Sequence, residues 1–257
     1  IVAVTLTGST PVGRKVAEKA GSLLKKTVLE LGGSDPYIVL EDANIEQTVS
    51  TCVLGRLINS GQSCIAAKRF IVVEPVYDKF IELYKLTMES YKMGDPQDES
   101  VQVGPQARMD LREELNNQVT MSVGMGAEIL TGGYIPEGDG AYYPPTALTN
   151  VKKGMPAYDE EIFGPVASII KVKDEEEAVH VANDSQFGLG SAVFTEDIER
   201  GERIAREEIQ AGACFVNSNV KSDPRLPFGG VKESGYGREL ALFGIHEFVN
   251  IKTVVVA

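Results

Sequence analysis

Three groups of residues in this 257-residue chain could carry covalent chemistry or hold a ligand that does. Cys64 ends the run Gly61-Gln62-Ser63-Cys64, directly after Asn59-Ser60-Gly61, where two turn formers and a glycine should stop a helix. Lys68 and Arg69 follow closely. A neighbouring cation lowers a thiol pKa and favours the thiolate, so the pattern predicts a nucleophile; the competing reading is a small, buried, inert thiol. Cys52, on an apolar helical face, and Cys214, inside Ala213–Val216, are read as core residues. Glu30 opens Glu30-Leu31-Gly32-Gly33 at the end of a strand. There a carboxylate in a cleft can serve as a general base, or simply be solvated or cap a helix. Gly8-Ser9-Thr10-Pro11-Val12-Gly13 is a strand-to-helix turn of the kind that cradles phosphate, or a plain β–α connection. It is not a P-loop, because Arg14-Lys15 follow Gly13, and it lacks the third glycine of a dinucleotide fingerprint.

Composition removes several other classes. The apolar fraction of 43% and charged fraction of 24% are those of an ordinary globular protein. A net charge of −12, from 37 acidic and 25 basic residues, disfavours a phosphate-backbone partner, so no nucleic acid is expected. Three cysteines cannot all pair and fit no zinc spacing, and two histidines are too few for a histidine metal site, so no metal is expected. Free thiols indicate a reducing, cytoplasmic compartment. No apolar run reaches the length of a membrane span, and no signal peptide is evident.

Strand and helix patterns alternate along the chain, which predicts an α/β fold. Strands are expected at Ile1–Thr5, Thr27–Leu29, Tyr37–Leu40, Arg69–Val73, Glu128–Leu130, Tyr143–Leu148, Val166–Val172, Ser191–Phe194 and Cys214–Asn217. Helices are expected over Val12–Leu24, from Asp42 to Asn59, and over Val76–Tyr91, Met109–Met125, Glu175–Asn183 and Ile198–Ile209. Gly244 interrupts a late helical stretch, and Ile251–Val256 reads as an apolar closing strand that needs a partner, such as another subunit. The chain begins inside an expected strand at Ile1, from which a missing N-terminal portion is inferred.

Taken together, the glycine turn, Glu30-Leu31-Gly32-Gly33 and Gly61-Gln62-Ser63-Cys64 resemble the aldehyde dehydrogenase superfamily. Glu160-Glu161-Ile162-Phe163-Gly164-Pro165-Val166 and Pro227-Phe228-Gly229-Gly230-Val231-Lys232-Glu233-Ser234-Gly235 are similar to two later motifs of that family, in the same order. The resemblance implies an open α/β catalytic domain over residues 33–230, preceded by the tail of a Rossmann-like cofactor domain over 1–32. A C-terminal segment, 231–257, would carry an oligomerisation strand. It implies NAD or NADP as cofactor, a small-molecule aldehyde as substrate, and a homodimer or homotetramer. Cys64 matches the nucleophile that forms a thiohemiacetal and then a thioester, with its backbone N–H as an oxyanion donor; Glu30 matches the base that activates water. Gly8, Ser9 and Gly13 match the pyrophosphate turn, Leu31 and Gly32 flank the nicotinamide, Glu161 matches the carboxylate on its ribose, and Phe163 the aromatic beside the ring.

The wording Lys221-Ser222-Asp223-Pro224-Arg225 resembles bacterial succinate-semialdehyde dehydrogenases, which would place Ser222 and Arg225 at a substrate carboxylate. Ile58, where many such enzymes carry an arginine, departs from that pattern and keeps a generic aliphatic aldehyde open. Two further readings are a cofactor-independent thiol hydrolase or acyltransferase, which lacks an evident histidine partner, and a non-enzymatic truncated module. The family's asparagine oxyanion donor and its adenosine-binding residues would lie before Ile1. Protein verified by mass to begin at Ile1 is therefore expected to bind NAD(P) weakly and to oxidise aldehydes poorly; robust turnover in a nicotinamide absorbance assay would contradict this.

Overall fold

A computed structural model describes residues 1–257. The chain builds two sheets. The smaller holds β1 (Ala3–Thr7) parallel to β2 (Lys26–Glu30), joined by α1 (Thr10–Ser22). The larger has seven strands. In chain order its elements are β3 (Pro36–Val39), α2 (Ile45–Leu57), β4 (Arg69–Val73), α3 (Glu74–Glu89), α4 (Met109–Gly124), β5 (Glu128–Thr131), β6 (Thr146–Thr149), α5 (Pro156–Asp159), β7 (Val166–Val172), α6 (Glu175–Asn183), β8 (Ala192–Phe194), α7 (Ile198–Arg203) and β9 (Phe215–Val216). The chain then returns to the small sheet with β10 (Gly235–Tyr236), antiparallel to β2, and ends after α8 (Ala241–Glu247).

The spatial order of the large sheet is β5-β6-β7-β4-β3-β8-β9, and every pair is parallel except β5 with β6. Its centre explains why the strands read as unbroken apolar runs: helices cover both faces, so both sides of each strand are dry. Successive side chains alternate between two cores. Phe70 and Val72 of β4 join Tyr37, Val49, Val53 and Phe80 on the α2–α3 side. Ile71 and Val73 join Ile38, Leu115, Val119 and Ala178 on the α4–α6 side. No helix is long and apolar enough to cross a membrane.

Several expectations shift. β1 and α1 are displaced by two residues, in opposite directions; Ser9 is the N-cap of α1 and Pro11 lies in its first turn, where the missing N–H costs nothing. The strand expected from Tyr143 starts only at Thr146, after Pro144-Pro145, neither of which can donate to a ladder. The helix expected over Ile198–Ile209 keeps its α form only to Arg203 and loosens into a π turn, Ile204–Glu208. α8 runs through Gly244 without interruption, and the two-residue β10 was not anticipated. The strand expected at Ile251–Val256 pairs with nothing within the chain, and Ile251 is 85% exposed. A ladder needs a neighbour, and this segment has none in a single copy.

Ile71, fully buried at the middle of β4, is the position where lost packing should be felt most. Ile71→Ala is expected to lower unfolding free energy by roughly 2–5 kcal/mol, while Ile251→Ala changes it little, as denaturant titration of the two variants would show.

Candidate active site

The turn that leads to Cys64 is built by backbone in an unfavourable conformation. After α2, Asn59, Ser60 and Gly61 have φ of 50, 55 and 74°, three consecutive left-handed residues of which only the glycine adopts that region without cost. The surroundings hold them there. Asn59 Nδ2 donates to Gln62 O (2.9 Å), the Ser60 hydroxyl accepts from Gly104 N (2.9 Å), and Gln62 Oε1 accepts from Ala107 N (2.7 Å). Buried Arg56 reaches from α2 and donates to Gly61 O (2.7 Å) and Val166 O (3.4 Å). Ser60 and Gln62 thus tie the turn to the Gly104–Ala107 stretch, and Arg56 ties it to Val166. Sequence reasoning did not single them out; Arg56, the one basic residue of α2, in its apolar last turns, was the available signal.

Cys64 itself is half-buried, whereas Cys52 is fully buried. Burial pushes the Cys64 thiol above its usual pKa, Lys68 pulls it down by a smaller amount, and Asp35, Glu30 and Glu161 push it further up. The expected net depression by Lys68 and Arg69 is thus corrected, because desolvation outweighs the one cation in range. Arg69 points elsewhere: its guanidinium donates to Ser34 O (3.2 Å), Val181 O (2.8 Å) and Ala182 O (2.9 Å). Burial places the Cys214 thiol at about 11.

Glu30 ends β2 and is 2% exposed, with neither carboxyl oxygen hydrogen-bonded. Burial is the main cause of a pKa raised to about 7; Glu239 adds to it and Arg238 opposes it. Gly229, from the late Pro227–Gly235 motif, lies so close that a Cβ there would stand 3.0 Å from Glu30 Oε1. Leu31 and Gly32 are held by Ser234, whose backbone carbonyl accepts from Leu31 N (3.0 Å) and whose hydroxyl donates to Gly32 O (2.6 Å). A Cβ on Gly32 would lie 2.6 Å from Glu161 Oε2, and one on Gly33 would lie 2.6 Å from the Cys64 carbonyl. Glu161 Oε1 accepts from Gly33 N (2.9 Å) and stands 3.7 Å from Lys68 Nζ. Glu30, Leu31, Gly32, Cys64 and Glu161 are therefore brought to one place; Phe163, two residues after Glu161, is 40% exposed.

The glycine turn is near but separate in role. Gly8 N donates to Glu30 O (2.9 Å) and is thereby spent, while Ser9 caps α1 without a side-chain bond and stays exposed. Gly13 N donates to Ser9 O (2.9 Å), and the missing Cβ of Gly13 makes room for Leu31; this glycine packs helix on strand. Ser222 and Arg225 are exposed on the loop after Val220, and neither hydrogen-bonds to the Cys64 or Glu30 segments. The Arg225 guanidinium is engaged by Asp223 (2.9 and 2.6 Å).

A thiol, a buried carboxyl and a second carboxylate around one pair of glycines are joined by a family match over residues 1–254, whose model describes the aldehyde dehydrogenase family. The chain belongs to that family. It is similar to succinate semialdehyde dehydrogenase [NAD(P)+] of Escherichia coli, 51% identical over 254 residues, covering 99% of this chain and 55% of that protein. Succinate-semialdehyde dehydrogenase [NADP(+)] 1 of Mycobacterium ulcerans is 50% identical over 254 residues, 99% of this chain and 55% of that protein. Among solved structures, the Streptococcus pyogenes succinic semialdehyde dehydrogenase in complex with NADP+ superposes with a TM-score of 0.96 at 42% identity, over 99% of this chain and 56% of that one. The chain spans about 55% of the length of these two curated relatives.

The raised pKa of Glu30 has a consequence for stability. Between its ordinary value of 4.5 and about 7 the unfolded chain loses this proton more readily than the folded one, so rising pH costs stability until the folded carboxyl has also ionised. Glu30→Gln is expected to be more stable than the parent above pH 7, by at most about 3 kcal/mol, with the difference vanishing near pH 4. Thermal denaturation at the two pH values reads it directly.

Proposed function

We propose that the protein oxidises an aldehyde to a carboxylic acid with NAD or NADP, with Cys64 as nucleophile and Glu30 as hydrolytic base. The observation that carries the reading is the convergence of Cys64, Glu30 and Glu161 on Gly32-Gly33 in a member of the aldehyde dehydrogenase family. The residues fit the cofactor. Ser9 and the first turn of α1 offer a helix N-terminus free of any side-chain cap, suited to a pyrophosphate, with Gly8 leaving the approach open. Glu161 presents a carboxylate to ribose hydroxyls, Phe163 an exposed ring, and Leu31 and Gly32 an apolar, side-chain-poor floor. A bound nicotinamide supplies the hydride acceptor.

The chain's own residues do the rest. The Cys64 thiolate adds to the aldehyde carbon, and the developing oxyanion is met by the Cys64 backbone N–H. Loss of hydride from that carbon leaves a thioester on Cys64. Glu30, half-ionised near pH 7, then takes a proton from water as the water oxygen adds to the thioester carbon; the C–S bond breaks, and acid and thiol are released. Because the carboxylate is the working form, hydrolysis accelerates as pH rises through about 7.

Succinate semialdehyde is the proposed substrate, supported by the two relatives above at about half identity. Ser222 is available for its carboxylate; Arg225 would have to exchange Asp223 for it. Residues 1–32 are read as the tail of a cofactor domain, 33–230 as the catalytic domain, and the exposed apolar end of 231–257 as a surface for another subunit in a dimer or tetramer.

In the full-length protein, Glu30→Gln mixed rapidly with aldehyde and cofactor should release about one equivalent of reduced cofactor and then stall, whereas Cys64→Ala should release none. Steady turnover by Glu30→Gln equal to the parent would defeat the assignment. For the substrate, kcat/KM for succinate semialdehyde should exceed that for butanal by at least about tenfold; equal values would retire the succinate semialdehyde reading.

A further inference from the structure

Lys68 is the one buried lysine of the chain, 1% exposed, and its ammonium sits beneath the nucleophile turn. All three of its donors are used: Nζ donates to Ser63 O (3.2 Å), Cys64 O (2.9 Å) and Ala66 O (3.1 Å). In a planar trans peptide the C=O and the following N–H point in opposite directions. Three carbonyls gathered onto one ammonium therefore turn the N–H groups of Cys64, Ile65 and Ala67 to the far side of the turn. Ala67 N donates there to Gly55 O (3.0 Å), which agrees with this geometry. The N–H groups of Cys64 and Ile65 have no acceptor in the protein. Without a cation, three carbonyl dipoles would converge head to head, and a peptide flip that removed the repulsion would swing the Cys64 N–H away.

We propose that Lys68 is a positioning residue for the reaction: its ammonium fixes the carbonyls of the Cys64 turn so that the Cys64 N–H faces the substrate oxygen, and it supplies the nearest positive charge to the sulfur. The proposal rests on the reading of Cys64 as nucleophile. Arg69 cannot replace it, because its guanidinium is spent on Ser34, Val181 and Ala182. The charged groups that act on Lys68 are Glu161, Arg56, Asp35 and Cys64. Glu161 is its closest carboxylate, 3.7 Å away, so the ammonium also bridges the nucleophile turn and the carboxylate assigned to the cofactor ribose. Burying a charge is costly, and here it is offset by three backbone carbonyls and two flanking acids. Lys68 is also the cation that lowers the Cys64 thiol pKa against the pull of burial.

The test is the pH dependence of Cys64 alkylation by iodoacetamide, together with kcat and KM for aldehyde oxidation, in the full-length protein. Lys68→Met should move the alkylation midpoint up by about one pH unit. It should lower kcat by at least about tenfold, with a smaller change in the KM for aldehyde. Lys68→Arg, which keeps a cation, should recover part of both. A folded Lys68→Met with the parent's midpoint and kcat overturns the proposal. If Lys68→Met does not fold, Lys68→Gln takes its place under the same criterion. The unaltered protein gives a check that needs no variant: with 15N-labelled lysine, one ammonium should exchange its protons slowly at neutral pH, and the absence of any protected ammonium also overturns it. Cys64→Ser separates the two readings. If it retains aldehyde oxidation, the nucleophile assignment fails; if it is silent while Lys68→Met behaves as the parent, the role of Lys68 alone fails.

Discussion

The site depends on a close approach of backbone at Gly32-Gly33. Three segments far apart in sequence meet there: the end of β2 with Glu30, the turn that carries Cys64, and the segment that carries Glu161. A Cβ at either glycine would stand 2.6 Å from the Glu161 carboxyl or the Cys64 carbonyl, closer than atoms pack. The two glycines are what let a strand end, a turn and a carboxylate share one small volume. Gly33 N, freed from strand pairing, becomes the donor that orients Glu161 (2.9 Å).

Around that crossing the protein places groups that oppose stability. Asn59 and Ser60 hold left-handed backbone, the Glu30 carboxyl is buried with no hydrogen-bond partner, and Lys68 is buried as an ammonium. The backbone strain and the buried ammonium are offset by their surroundings, whereas the Glu30 carboxyl is left without a donor. The strained residues are tied through Ser60, Gln62 and Arg56 to neighbouring loops, and Lys68 is wrapped by three carbonyls. Strain and unpaired charge concentrated at one point of an otherwise well-packed sheet mark a place shaped for chemistry.

Burial acts on both members of the pair in the same direction. It raises both the Cys64 thiol and the Glu30 carboxyl, which disfavours the charged form of each. For a base that must take a proton from water near neutrality, a pKa of about 7 is an advantage. For a nucleophile, the upward push is a handicap, and Lys68 is the cation that acts against it.

The order of strands and helices was legible in the sequence because two buried sheet faces impose long apolar runs and amphipathic helices impose their own period; Arg69–Val73, Val166–Val172 and Glu175–Asn183 fall where the pattern puts them. The motifs around Glu30, Cys64 and Glu161 were legible too, since their glycines and turn formers lie contiguous in the chain. Only the tertiary structure decided which cation serves Cys64. Adjacent Lys68 and Arg69 are equivalent in sequence, yet the entry into β4 sends one under the turn and the other to the α6 carbonyls. It likewise decided that β10 completes the small sheet and that Ser234 clamps Gly32, because those contacts cross some two hundred residues and no local pattern encodes them.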